Sequence, residues 1–285
     1  MPYLNLLTDV VDELDTGKHT AQELNTLRNT WLGRSGAWVD GWTGRQPGRP
    51  VHAKLVAGMS LLERSLEKAV ELGGEWLYET KLTGPQAEAA MERVVSQQKL
   101  MMEQRFLREG HAFASMRAAA HFSVEAAMNE RCSGVSYYHF LCGLQEEADW
   151  AGLGRRLEAL REKVLGGNAL TVSLHGSDAA LGTLKKLLPG SAFAAGERRA
   201  AVPYTEELMA PVNEAFVIDG GVNYDVLAWP MERRLERKVL ARVMSYEYLW
   251  HSIREVGGAY GTGMVTQNDD VEYLYTYRDP HLAES

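Results

Sequence analysis

Arg254 and Tyr260 stand six residues apart in the stretch LWHSIREVGGAYGTG, Leu249 to Gly263. As a pair they could hold a substrate carbonyl by hydrogen bonds. A guanidinium presents its donors in a fixed fork, and a phenol adds one hydroxyl. Gly257 and Gly258 lie between them and stop an amphipathic helix pattern, and Gly261 follows. In one reading these glycines turn the chain so that both side chains face a single cavity. In the other, Arg254 merely complements the negative end of a helix dipole, and Tyr260 packs on a strand. The residues alone leave both readings open.

Other chemistries are poorly supported. A zinc peptidase needs two histidines on one helical face with a carboxylate base, in the forward or the inverted H-x-x-E-H order. The nearest match, His281-Leu-Ala-Glu284, ends in Ser285. The remaining histidines, at 19, 52, 111, 121, 139, 175 and 251, form no ligand pair and read as surface or partly satisfied core residues. No G-x-S-x-G elbow and no P-loop is present. The glycines from 257 to 263 follow a helix. A phosphate loop follows a strand and opens a helix, where free N–H groups meet the anion. Cys132 and Cys142 read as inert thiols, because a nucleophilic cysteine needs an electropositive, partly exposed setting. Tyr137, Tyr138 and Phe140 read as helix packing.

Composition bounds the rest. The chain has 285 residues, 45% hydrophobic and 24% charged, as in ordinary globular proteins. Its net charge of −8 and pI near 5.6 offer no basic stripe, so no nucleic-acid partner is expected. Two cysteines are too few for a disulfide framework, and their spacing fits no zinc pattern. The start, MPYLNLLTDVVDEL, lacks the basic region of a signal peptide. No apolar run approaches the ~18 residues of a membrane span, so no membrane partner is expected.

Periodicity places the elements that must position Arg254 and Tyr260. Leu4, Leu7, Val10, Val11 and Leu14 have helical spacing. Thr20-Ala-Gln-Glu23 is a capping-box pattern for a helix ending near Leu32, and Ser60-Leu-Leu-Glu63 is another for a helix reaching about Tyr78. Residues 33–50 suggest strand and turns, and residues 51–58 alternate like a strand. From Gly84-Pro85 to residue 165 the chain is rich in helix formers, with breaks expected at Gly110, Gly134 and Gly152. After it, ALTVSLHG (169–176) predicts a strand, and Ser177 caps a helix. NEAFVIDG and VNYDVLAW predict two strands. MERRLERKVLARVMSYEYLWHSIR predicts a helix of roughly six turns. GTGMVTQ and VEYLYTYRD predict two more strands, joined by the turn-prone Asn268-Asp269-Asp270.

The stretch around Arg254 resembles the C-terminal-half signature of the pitrilysin/insulinase-like zinc metallopeptidases, closest to their presequence-protease-like branch. Leu249-Trp250, Arg254 and Gly257-Gly258-Ala259-Tyr260-Gly261 match at the branch's spacing. Asn213-Glu-Ala-Phe-Val-Ile218 and Val222-Asn223-Tyr224 resemble the paired strands before that helix, and Tyr277-Arg278-Asp279-Pro280 the segment after it. Residues 85–147, with Gly110-His111, Ala114, Arg117 and Gly134-Val-Ser-Tyr-Tyr138, resemble the branch's helical region, and Pro2-Tyr-Leu-Asn-Leu-Leu7 the start of its third domain. The chain departs from the pattern at Leu14-Asp15-Thr16 and at Arg34-Ser35-Gly36, and it contains no inverted zinc motif.

The resemblance implies an α+β fold: two domains of mainly antiparallel sheet packed with helices, joined by a helical block and incomplete at both ends. Residues 1–84 would be part of the third peptidase-like domain, 85–165 the helical region, and 166–285 part of the fourth. It implies the non-catalytic C-terminal segment of a zinc metalloendopeptidase that degrades unfolded peptides in a closed chamber. Zinc is the cofactor of the full-length enzyme, with its ligands outside this chain and none bound here. The implied partners are the N-terminal zinc-binding half and an unfolded peptide. Arg254 and Tyr260 would bind that peptide near the scissile bond, with Gly257, Gly258 and Gly261 shaping the turn. The chain alone is expected to be inactive. A catalytically inactive binding or assembly subunit is the alternative. Unpaired strand edges would favour self-association. The expected compartment is the bacterial cytoplasm, or an organelle matrix in a eukaryote.

Overall fold

The computed structural model describes residues 1–43, 50–166, 170–194, 202–232, 234–267 and 270–281. They form α helices and two antiparallel sheets, one pairing Leu32–Trp42 with His52–Leu61 and one with Val271–Tyr277 between Val226–Pro230 and Gly261–Thr266. The chain divides into two compact units. The first takes residues 1–40, 54–97 and 143–202, and the second residues 41–53, 98–142 and 203–285.

In the first unit α1 (Pro2–Val10) buries Leu6, Leu7 and Val10, as their spacing requires. Helix α2 (Ala21–Trp31) opens on the expected capping box. Thr20 Oγ1 accepts from Glu23 N, and the Glu23 carboxylate accepts from Thr20 N at 2.9 Å. Strands β1 (Leu32–Trp42) and β2 (His52–Leu61) pair next. The second predicted capping box does not form. β2 runs through Ser60, whose Oγ and carbonyl lie opposite Gly33, so pairing outcompetes the cap. A 3-10 turn, Glu63–Ser65, then leads into α3 (Leu66–Tyr78), which has no side-chain cap. Trp76 on α3 is fully buried, and the Arg28 guanidinium lies 3.9 Å above its ring.

Glu75 is also buried on α3. It accepts hydrogen bonds from Thr16 Oγ1 at 2.5 Å and pairs with His19 Nδ1 at 2.9 Å. Burial alone would raise its pKa, but the bonds from Thr16 and His19 outweigh burial and hold the carboxyl below its ordinary value. A depressed carboxyl stabilises the fold above the unfolded-state pKa, and that contribution is lost as pH falls through the folded-state pKa. Thermal melts from pH 7 to pH 3 are therefore expected to show a loss of stability below the ordinary glutamate range. Glu75→Gln should flatten that part of the profile; an unchanged profile would refute the assignment.

The helical region contains α4 (Pro85–Ala119), α5 (Val124–Ser133), α6 (Val135–Glu147) and α7 (Trp150–Leu165). Two of the three expected glycine breaks are visible. α4 is kinked at Glu109, beside Gly110, and Gly134 separates α5 from α6. Gly152 breaks nothing. The break falls at Ala148, with φ 48°, and Asp149 caps α7 by accepting from Gly152 N at 2.8 Å.

Helix α8 (Asp178–Leu187) is capped by Ser177 as predicted and packs Ala180 and Leu184 against Leu66. The strand predicted before it is absent: residues 170–176 are irregular, with Leu170 and Val172 exposed and no strand partner among the described residues. NEAFVIDG is irregular as well. Side chains hold that segment instead of a ladder. Arg117 donates to both oxygens of Glu214 at 2.7 Å, and this pairing lowers the Glu214 pKa. Upstream, Tyr204 N donates to Val51 O at 2.8 Å, and Arg131 pairs with Glu206.

The second unit carries the three-stranded sheet. β3 (Val226–Pro230) covers the later part of the predicted VNYDVLAW strand. The predicted long helix is divided into α9 (Leu235–Val243) and a π-helix, Met244–Val256. β4 (Gly261–Thr266) and β5 (Val271–Tyr277) fall where they were expected, and Asn268-Asp269 of the turn between them lies outside the described residues.

Candidate functional site

Arg254 lies on the last turn of the π-helix, and Tyr260 immediately precedes β4. The chain between them closes the helix through three backbone bonds of 3.1 Å: Gly257 N to Ser252 O, Gly258 N to Arg254 O and Ala259 N to Ile253 O. The last two follow the pattern of a Schellman motif, widened by one residue to match the π-helix. Gly258 takes φ +82°, the left-handed conformation that such a closure demands. At Gly257 an added Cβ would stand 2.7 Å from Ile253 O, a backbone atom. Gly261 is the first residue of β4, where an added Cβ would make ordinary contacts of 3.6 Å with Tyr277.

This turn brings the two candidate residues together. The Arg254 guanidinium lies 4.0 Å from the Trp250 ring centroid and 5.5 Å from that of Tyr260. Cation–π contacts of this kind are worth about 0.5–1 kcal/mol at exposed sites. Arg254 is half-buried, and among the described residues it takes no carboxylate partner. Tyr260 is 64% exposed, and its backbone N–H donates to Arg278 O at 3.4 Å. Ser245 fixes the helix to the sheet: its hydroxyl donates to Ala241 O at 2.7 Å and accepts from Met264 N on β4 at 2.9 Å. That bond sets the register between the element carrying Arg254 and the one that follows Tyr260.

Tyr273, Tyr275 and Tyr277 alternate along β5 and so share one sheet face. Opposite them on β4 stand Val265, Gly263 and Gly261. A Cβ at Gly263 would come within 3.0 Å of the Tyr275 ring. Tyr260 meets Tyr277 edge-on at 5.8 Å between centroids. His111 of α4 lies 4.7 Å from Tyr277, 5.4 Å from Tyr275 and 6.2 Å from Tyr224. Gly110 makes room here, because a Cβ there would stand 2.4 Å from the Tyr224 ring, whose hydroxyl donates to Leu107 O at 2.7 Å. Burial holds the His111 pKa below its ordinary value, so the ring is neutral at pH 7. Asn223 and Asp279 exchange backbone bonds of 2.8 and 3.0 Å. Sequence reasoning treated His111 as one more partly satisfied histidine and did not find this cluster. The signal was the Tyr-x-Tyr-x-Tyr alternation of 273–277.

Beyond the cluster lies a cavity of about 380 Å³, with His111, Ala112, Met116, Asn129, Tyr273 and Tyr275 among its walls. Among the described residues no three His, Cys, Asp or Glu side chains are placed to hold a metal. This part of the chain therefore does not fit a zinc site. Burial pushes the Cys132 thiol up to about 11, which keeps it a thiol and not a nucleophile at pH 7.

The described residues thus form an α+β fold with an arginine–tyrosine pair at the turn before β4. Comparison with known proteins gives the family. The peptidase M-16C associated family matches residues 1–144, and the chain belongs to it. Presequence protease 1, chloroplastic/mitochondrial, of Arabidopsis thaliana is 26% identical over 100% of this chain and 27% of its own length. Protein HypA of Clostridium perfringens is 22% identical over 100% of this chain and 30% of its own. The chain thus spans less than a third of the length of these relatives and corresponds to a part of a larger presequence-protease-like peptidase. A crystal structure of a conserved protein from Enterococcus faecalis V583 shares the fold, with a TM-score of 0.61 at 15% identity, covering 96% of this chain and 66% of that one.

Proposed function

We propose that this chain is the substrate-contacting, non-zinc segment of a zinc metalloendopeptidase that acts on unfolded peptides. The observation that carries the reading is Arg254. Its guanidinium is clamped between Trp250 and Tyr260, and no carboxylate among the described residues neutralises it. A fixed cation with uncommitted donors beside an exposed phenol suits a peptide carbonyl on which negative charge develops. Zinc, held by the N-terminal half, would supply the activated water. Arg254 would donate to the carbonyl, and the Tyr260 hydroxyl would add a second hydrogen bond. The divisions at residues 84 and 165 are proposed as the borders of third-domain, helical and fourth-domain parts. The compartment we propose is the bacterial cytoplasm or, in a eukaryote, an organelle matrix; the plant relative's name records chloroplast and mitochondrion for that protein.

The test is peptide hydrolysis with added zinc. The purified chain is expected to be inactive alone and to support turnover when mixed with the matching N-terminal half. Hydrolysis by the chain alone would overturn the reading, and so would an assembled mixture that stays inactive.

A further inference from the structure

We propose that the cavity walled by α4, α5 and the tyrosine face of β5 is a specificity pocket for an aromatic side chain of the bound peptide. The inference rests on the reading of Arg254 and Tyr260 as peptide-binding residues and adds the side chain that the peptide must offer. Three observations carry it.

The first is continuity. Tyr260 touches Tyr277, Tyr277 touches His111, and His111 touches Tyr275, which lines the cavity. Tyr277 to Tyr273 is four residues of strand, roughly 13 Å at the extended rise. An extended peptide held at Tyr260 would therefore reach the cavity about two to four residues away.

The second is chemistry. None of the lining residues carries a formal charge with His111 neutral. Ala112, Ala119, Ala126, Met116 and Val265 supply apolar wall. The Tyr273 and Tyr275 rings offer the edges and faces that aromatic guests prefer, and the Met116 sulfur adds a favourable aromatic contact. Ser115 and Asn129 could orient a polar tip such as a phenol.

The third is size. The cavity opens to solvent, and its volume of about 380 Å³ falls within the range of small-molecule sites. Ala112, Ala119 and Ala126 of the lining have no side chain beyond Cβ to fill that space.

The test uses N-acetylphenylalaninamide as a probe small enough to enter the cavity without touching Arg254, followed by NMR shifts of the intact chain. Saturation at about millimolar concentration is expected, with N-acetylalaninamide at least tenfold weaker. Ala112→Trp on α4 and Asn129→Phe on α5 each add a ring at the cavity lining, and each should abolish the preference. Should one of them fail to fold in a thermal melt, the other decides. Arg254→Ala should leave probe binding unchanged. Equal binding of the two probes to the parent chain would overturn the pocket, and so would filled variants that still prefer the aromatic probe. Loss of the Arg254 reading would appear elsewhere, as unaltered turnover of the Arg254→Ala enzyme, so the two failures are distinguishable.

Discussion

Arg254→Ala, assayed in the assembled peptidase, is expected to lower kcat/KM for an unfolded peptide by about 10²–10³, or about 2.7–4 kcal/mol of transition-state stabilisation. The magnitude follows from what the guanidinium would do. It is a preorganised cationic donor, held by two aromatic rings and not by a carboxylate that would have to be displaced. Removing it leaves charge on the reacting carbonyl without that partner. The loss should fall mainly on kcat, because the interaction strengthens as charge develops. Arg254→Lys should recover little, since an ammonium lacks both the planar fork and the flat face that stacks on Trp250. Tyr260→Phe keeps the ring against Tyr277 and Arg254 and removes only the hydroxyl, so a smaller loss of about tenfold is expected, in line with one neutral hydrogen bond. Equal turnover by parent and Arg254→Ala enzymes would remove this residue from the site. A loss confined to KM would make it a ground-state anchor.

The same geometry shows what could be read from the residues. Elements whose signal is local were legible. The Thr20–Glu23 capping box, the Ser177 cap and the alternation of 271–277 all form as written. Elements that need a distant partner were not. Residues 213–218 have the composition of a strand, yet strand propensity is realised only against a neighbouring edge. Here Glu214 is tied to Arg117 and no ladder forms. Ser60 carried a cap signal, but pairing of β2 with β1 took its backbone first. The long helix was legible as helix but not as π-helix, because the wider turn shows only in hydrogen bonds five or six residues back. At the site, Arg254, Gly258 and Tyr260 stood out by spacing. His111 and Tyr224 join them only in three dimensions, from segments more than a hundred residues apart.

The second large effect is expected at Gly258, where the three substitutions Asn, Ala and Val separate backbone conformation from side-chain volume. At φ +82° an L-residue with a Cβ is strained, at about 1–2 kcal/mol. Asparagine tolerates this region best and a β-branched residue worst. The space around Gly258 is not limiting, since an added Cβ would come no nearer than 3.8 Å to Pro280. The ranking should therefore follow φ preference and not size: Gly258→Asn mild, Gly258→Ala intermediate, Gly258→Val most destabilising in thermal or urea unfolding. Turnover should fall in the same order and further than stability does. The strain can be relieved by opening the bonds from Gly258 N to Arg254 O and from Ala259 N to Ile253 O. Opening them swings Tyr260 away from the guanidinium while leaving the sheet paired. A variant that lost activity in proportion to its stability alone would show that the turn is merely structural. A variant that kept its fold but lost the aromatic clamp on Arg254 would show why a helix ending in two glycines carries an arginine before them and a tyrosine after.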